Sequence, residues 1–226
     1  MELVLWTRKE IQLITTRFQD IVNNFHEYTF HILGCGAIGS SVATQLARMG
    51  GEVFVLYDMD KVEEVNVGCS QYIMTDIGLP KVDALDQHLH SINTNVNIVK
   101  IDEPFEEFFY MNRNDIAILG FDSMWARLEA VKAMCKTKQK PMLIIDGRMG
   151  AEQFQQYMID NPTVDKYKKT WYSDEEGDPE PCTSKATSYC SNMSGSFIVN
   201  SIRKYVTNQP YNKEIVFNFP ALYLGK

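Results

Sequence analysis

The residues of this 226-residue chain best suited to handling a polyanion are a glycine-rich turn, a lysine that opens a helix and two aspartates that end strands. Gly34-Cys35-Gly36-Ala37-Ile38-Gly39 follows the apolar run Phe30-His31-Ile32-Leu33, and a second apolar run, Val53 to Tyr57, ends on Asp58. Glycines so placed allow a tight turn, leave backbone room beside a phosphate and let a helix pack closely on a strand, so the helix N-terminus faces an anion. The expected ligand is a nucleotide, cradled by Gly34, Gly36, Ala37 and Gly39. Asp58 is placed to accept both ribose hydroxyls, of ATP or of NAD alike; its simpler role is to cap the next turn.

Lys81 follows Pro80, which suits the first position of a helix. The lysine therefore sits in a first turn where the macrodipole disfavours a cation by roughly 0.3–1 kcal/mol. A bound anion would reverse that sign; otherwise the side chain simply reaches solvent. Asp122 lies just past Leu119-Gly120, at the carboxyl edge where open α/β sheets bind ligands. It is also an N-cap candidate for the helix beginning near Met124, a role open to Ser123. Cys182, in Pro181-Cys182-Thr183 ahead of the last long helix, is the candidate nucleophile: a helix N-terminus acidifies a thiol, while the neighbouring acids Asp174, Glu175, Glu176, Asp178 and Glu180 oppose it. The alternative is an exposed or packed cysteine, and Cys190, further along the helix, reads as core.

These residues need a frame, and apolar periodicity supplies one. Ile11, Ile14, Phe18, Ile21, Val22 and Phe25 fall on one face of an N-terminal helix within residues 1–29. Ile38, Val42, Leu46 and Met49 form the stripe of the helix after the glycines, closed by Gly50-Gly51; Val82, Leu85, Leu89 and Ile92 form that of the helix from Pro80. Val96 to Ile101, Ile116 to Leu119 and Met142 to Ile145 read as strands, the last two as continuous apolar runs expected of parallel strands buried on both faces. The nucleotide-binding core spans 30–150. A strand at Phe154 to Ile159 follows, then a flexible crossover loop over 160–183, then a helix through Met193 and Tyr205 and a strand at Ile215 to Phe219 within 184–226. The fold class is α/β: one Rossmann-like, doubly wound, mostly parallel sheet extended by late antiparallel strands.

Composition narrows the partners. A net charge of −7 argues against a broad nucleic-acid surface. No apolar run approaches the roughly 20 residues of a membrane helix. Five cysteines without a regular framework fit a reducing compartment, so the expected location is the cytoplasm. No Cys-x-x-Cys pair occurs, so no zinc site is expected, and the four histidines, His26, His31, His88 and His90, show no ligand spacing beyond the weak His88-Leu89-His90, whose imidazoles point in different directions on a helix.

Taken in order, the glycine loop, Asp58-Met59-Asp60, Asn66, Gln71, Gly78-Leu79-Pro80-Lys81 and Asp122 resemble the E1-like ThiF, MoeB and HesA family, as a stand-alone adenylation domain. The resemblance implies ATP-dependent adenylation of a carboxylate, that of the C-terminus of a ubiquitin-like or sulfur-carrier protein. By resemblance, Lys81 contacts the ATP phosphates, Asp122 holds Mg²⁺, and Asp60, Asn66 and Gln71 lie in the cofactor-binding segments. Relatives that form thioesters place a cysteine in a loop comparable to that of Cys182. Stand-alone members of the family are homodimers in which the N-terminal helix meets the partner subunit, so the resemblance implies a homodimer. One departure stands out: the family's Asn-Leu-Asn-Arg-Gln signature is here Asn66-Val67-Gly68-Cys69-Ser70-Gln71, without arginine, and neither Ser nor Cys replaces its charge. Arg148, or Arg8 or Arg17 across a dimer, are the candidate substitutes. The loss also leaves open an E1-like subunit without turnover, a binding scaffold. An NAD-dependent oxidoreductase shares the glycine loop and Asp58 but gives Lys81 and Asp122 no role.

Overall fold

The computed structural model describes residues 17–136, 138–176 and 186–225. Ile11, Ile14, Arg8 and Cys182 lie outside them. Parallel strands β1 (Thr29–Leu33), β2 (Val53–Tyr57), β3 (Asn97–Ile101), β4 (Asp115–Leu119) and β5 (Leu143–Gly150) are continued by antiparallel β6 (Gln153–Asp160), β7 (Glu214–Asn218) and β8 (Tyr223–Gly225), in the spatial order β3-β2-β1-β4-β5-β6-β7-β8. Every residue of β1 and β4 is buried, as parallel strands covered on both faces require.

Helices cover both faces. On one side α1 (Ala37–Arg48), α3 (Lys81–Ile92) and α6 (Ser188–Val206) bury Val42, Leu46, Leu85, Leu89, Ile198 and Ile202 against Phe30, Ile32 and Phe54. On the other, α4 (Met124–Cys135) and α5 (Val164–Lys168) bury Leu128, Val131 and Tyr167 against Leu33, Val55 and Ile144. Each such side chain stabilises the fold by roughly 1.5–3 kcal/mol relative to exposure. A short helix α2 (Glu64–Val67) lies between β2 and α3. Among the described residues no helix is long and apolar enough to cross a membrane.

Several elements differ from the expectation. Residues 17–21 form a turn and Phe25–Glu27 a single 3-10 turn, so the end of the predicted N-terminal helix is not α-helical; Val22 and Phe25 are buried but Ile21 is exposed. Asn23 and Asn24 are poor helix formers, and Asn24 Nδ2 instead reaches the Val206 carbonyl at 3.3 Å. Pro80 is the N-cap of α3 and Lys81 its first residue. Strand β5 continues past its apolar run to Gly150, so Asp146 and Arg148 stand within the strand. Helix α5 falls inside the predicted crossover loop, because Thr163 caps it by accepting from the Lys166 amide.

The chain winds outward from β1 through β2 to β3, then returns to β4 on the other side of β1. Loops after β1 and β4 therefore part toward opposite faces and open a crevice at the carboxyl edge. Gly34 (φ +97°) lies so close to the loop after β4 that a Cβ on it would come within 2.7 Å of the Gly120 carbonyl carbon. Only glycine fits there.

Candidate active site at the switch point

The glycine loop delivers α1 with its N-terminus open. Gly36 is the N-cap, no side chain caps the helix, and a Cβ on Gly36 would meet nothing within 4 Å. Gly39 has the opposite surroundings: a Cβ there would overlap the Gly34 carbonyl oxygen, so it sets the close packing of α1 on the turn. Ala37 opens the helix, and its carbonyl accepts from Ser191 Oγ of α6 at 2.9 Å. The result is a helix start without a side-chain cap that borders open space at Gly36.

Asp58 follows β2 directly, and its carboxylate fixes the loop, accepting from the Cys35 amide at 2.7 Å and the Asp60 amide at 2.9 Å. Lys81 reaches back from α3, with Nζ 2.8 Å from Asp60 Oδ2 and 3.7 Å from Asp58 Oδ1. Burial raises the Asp58 pKa, against the pull of Lys81 and the two amides. For Lys81 burial acts to lower the pKa, but the Asp60 hydrogen bond and the charge of Asp58 outweigh it, so the ammonium titrates above its usual range. Tyr72 closes the floor, its Oη donating to the Cys35 carbonyl at 2.6 Å.

The other predicted residues fall into two groups. Asp122 lies in the β4–α4 loop, exposed and without a side-chain partner among the described residues; Ser123 takes the N-cap role, accepting from the Ala126 amide at 3.2 Å. Asn66 Oδ1 accepts from the Glu63 amide at 2.8 Å as part of a capping box on α2, and Gln71 Nε2 donates to Asn192 Oδ1 of α6 at 2.9 Å. Arg148 is committed elsewhere. Its Nε and Nη2 lie 2.9 and 2.7 Å from Asp146 Oδ2, its Nη1 donates to the Thr170 carbonyl at 2.7 Å, and Tyr157 and Tyr172 flank the guanidinium. It is not free to replace the motif arginine unless this cluster opens. Cys190 is buried beside the Gln153 carbonyl, as core.

Sequence reasoning missed the rest of that cluster. Arg127 of α4 pairs with Asp146 through Nη1, which also donates to the Leu119 and Gly147 carbonyls at 3.2 and 2.8 Å, and Tyr167 Oη adds a hydrogen bond to Asp146 at 3.1 Å. The one available signal was an ionisable pair at Asp146 and Arg148 directly after four apolar residues. Its partners lie about 20 residues away, beyond any local pattern.

The donor set suits a magnesium nucleotide. The opening at Gly36 is a cradle that any side chain would fill, and Lys81 supplies a cation beside it. Among the described residues no group of three His, Cys, Asp or Glu gathers around a common point. One carboxylate plus ligand phosphates and water is how Mg²⁺ is commonly held, and Asp122 is an exposed carboxylate at this edge without a side-chain partner among the described residues.

A doubly wound sheet with a glycine turn, a strand-end aspartate and an open helix N-terminus at its switch point defines the nucleotide-binding α/β class. Within it the chain belongs to the ThiF family, whose model matches residues 8–223. It is similar to ubiquitin-like modifier-activating enzyme 5 of Arabidopsis thaliana, 27% identical over 163 residues that cover 71% of this chain and 35% of the plant protein. It is also similar to the tRNA threonylcarbamoyladenosine dehydratase of Bacillus subtilis, 28% identical over 121 residues, 51% of this chain and 47% of that one. The chain therefore matches a third to a half of the length of these relatives. Among solved structures, E. coli MccB superposes with a TM-score of 0.72 at 18% identity, covering 92% of this chain and 66% of MccB, which is a likeness of fold.

Proposed function

We propose that this chain is an ATP-dependent adenylyltransferase that activates a carboxylate, with the C-terminus of a ubiquitin-like or sulfur-carrier protein as the substrate. The observation that carries the reading is the meeting, at one crevice, of an uncapped α1 N-terminus, the open space at Gly36 and the Lys81 ammonium held by Asp58 and Asp60. Membership of the ThiF family and similarity to a ubiquitin-like modifier-activating enzyme support it.

The backbone of Gly34, Gly36, Ala37 and Gly39 receives the phosphates, and Asp58 and Asp60 face the ribose. Asn66 and Gln71 keep the neighbouring wall in place through α2 and α6. Lys81 exchanges Asp60 for a phosphate oxygen. Asp122 would hold Mg²⁺, which when bound offsets charge on the departing pyrophosphate. A substrate carboxylate oxygen forms a bond to the α-phosphorus as the bond from that phosphorus to the pyrophosphate oxygen breaks. The protein's part is positioning and electrostatics. Cys182 is the acceptor if a thioester follows, and the chain acts as a homodimer in which Arg8 or Arg17 of one subunit serves the other's site.

A thermal titration of purified protein with ATP·Mg²⁺ tests this, since a ligand of the folded state raises the unfolding midpoint saturably. The expected result is such a rise, absent in Lys81→Ala. No rise at millimolar ATP, or preferential binding of NAD, would overturn the ATP assignment. The missing motif arginine favours one second reading, a subunit that binds ATP but does not turn over. AMP release on screening carboxylate-terminated carrier proteins separates the two, being present for the enzyme and absent for the scaffold. If turnover accompanies a labile acyl adduct, Cys182→Ser should abolish the adduct and leave adenylation intact.

A further inference from the structure

Asp122 has no side-chain partner among the described residues, and among them its carboxylate is located by the backbone that carries it from Gly120 to Ser123. At the first end, the Gly120 amide donates to the Leu33 carbonyl at 2.7 Å and the glycine abuts Gly34. The other end is held from some fifty residues away. Asp174 Oδ1 accepts from the Met124 amide at 2.7 Å, and its Oδ2 accepts from the Trp125 amide at 3.2 Å and from Ser123 Oγ at 3.3 Å.

Together Ser123 and Asp174 supply acceptors for the Met124, Trp125 and Ala126 amides, the donors that a helix start leaves without intrahelical partners. The strap that brings Asp174 there is itself tied down. Tyr167 Oη donates to Asp146 at 3.1 Å, the Thr170 carbonyl accepts from Arg148 at 2.7 Å, Trp171 Nε1 donates to the Met124 carbonyl at 2.7 Å, and the Trp171 ring stands edge-on to Trp125 at 6.4 Å. The buried Asp146 cluster thus anchors a strap whose far end clamps the residue next to Asp122. An acidic cap is also favoured by the α4 macrodipole, and it closes to other anions a helix N-terminus at the same sheet edge as the open one of α1.

The geometry points to Asp174 as a positioning residue for Asp122: through Ser123 and the first turn of α4 it fixes where the metal-binding carboxylate stands. This rests on the reading of Asp122 as the Mg²⁺ carboxylate. Its mark is an effect on the metal-dependent part of nucleotide binding, which a merely stabilising cap would not single out.

The test is calorimetric titration of ATP with Mg²⁺ and with EDTA, on wild type, Asp122→Ala, Asp174→Ala, Asp174→Asn and the double alanine variant. Metal should tighten ATP binding to wild type. Asp174→Ala should lose about 10-fold of that gain, the lower end of the range for residues that orient metal ligands. Its affinity for metal-free ATP should not change. Asn retains a cap acceptor and should recover most of the loss, and the double variant should match Asp122→Ala. Equal weakening with and without metal, or an intact metal gain in Asp174→Ala where Asp122→Ala has none, overturns the role of Asp174 alone. If Asp174→Ala does not fold, Asp174→Ser, which shortens the cap, takes its place and is judged by the same two outcomes. Absence of ATP binding by wild type, or binding that metal does not tighten, overturns the site reading beneath it.

Discussion

Two charged clusters share the carboxyl edge of this sheet, and they differ in whether they are finished. Asp146, Arg127 and Arg148 have side chains 0–6% exposed, and the Asp146 carboxylate is met from both sides and by Tyr167. Lys81 is 11% exposed, but its nearer partner, Asp60, is 60% exposed, its second contact is long at 3.7 Å, and open space adjoins it at Gly36. A closed cluster is architecture: it joins α4, β5 and the strap before Asp174. A cluster whose partner can leave for solvent is where an incoming anion can take its place. Buried charge alone does not mark a functional site; spare capacity does.

The sharpest way to break this contrast is to remove the shared anion of the closed cluster. Asp146→Ala leaves two buried guanidinium groups without a counter-charge, a change that costs about 3–5 kcal/mol. For a chain of this size that is a fall in Tm on the order of 10 °C, measurable by calorimetry. An Asp146→Ala protein with the wild-type Tm and lowered nucleotide affinity would mean that the two clusters had been assigned the wrong way round.

A pair of glycines sharpens the comparison at the open site. Gly39→Ala forces a Cβ onto the Gly34 carbonyl oxygen and should cost about 1–3 kcal/mol of stability, as overpacking does. Gly36→Ala meets no atom in the protein and should cost at most about 1 kcal/mol as a poorer N-cap, yet it fills the space where a phosphate is expected. Urea titration should therefore separate the variants in one order and ATP-induced thermal shifts in the other. Equal ATP responses in wild type and Gly36→Ala would remove the phosphate from that space.

The same contrast explains what could be read from the sequence. The open site is built from short-range features: glycines within six residues, an aspartate ending an apolar run, a lysine after a proline. All of these declare themselves locally, as do strands that are continuous apolar runs. The closed cluster and the Asp174 cap depend on contacts between residues about 20 to 50 apart, which no periodicity encodes. Asp174 accordingly looked like one acid among five in a loop. The edge strand β8, three residues long and with exposed Tyr223 and Leu224, carries no alternation to detect. The asparagine pair at 23–24 was visible, but the apolar spacing from Ile11 to Phe25 suggested a helix all the same; at its described end, from residue 17 on, tertiary contact with Val206 decided against it.

A third buried polar group tests the rule with a neutral member. His31 of β1 is fully buried, with Nδ1 3.3 Å from Tyr57 Oη, Nε2 3.3 Å from Asp115 Oδ2 and the Phe108 ring at 4.4 Å. Burial lowers its pKa despite the opposing pull of Asp115, whose carboxylate already accepts from the Met111 and Asn112 amides at 2.8 and 3.1 Å. In the unfolded chain the imidazole titrates near its ordinary value of about 6.5. Below that pH the unfolded state takes up a proton that the folded state refuses until its own, lower pKa is reached. Stability from this site is therefore intact above about pH 6.5 and falls as pH drops through it, by up to about 1.4 kcal/mol per pH unit. Urea unfolding of wild type and His31→Gln between pH 8 and 5.5 isolates it, because Asp58, whose pKa is raised in the fold, is common to both proteins. The stability difference should shift with pH only at the acid end, with wild type losing ground. A difference that moves the other way, with wild type gaining ground as pH falls from 8 toward 6.5, would mean that His31 carries a proton in the folded protein, and the cluster would then belong with Asp146 as a closed ion pair.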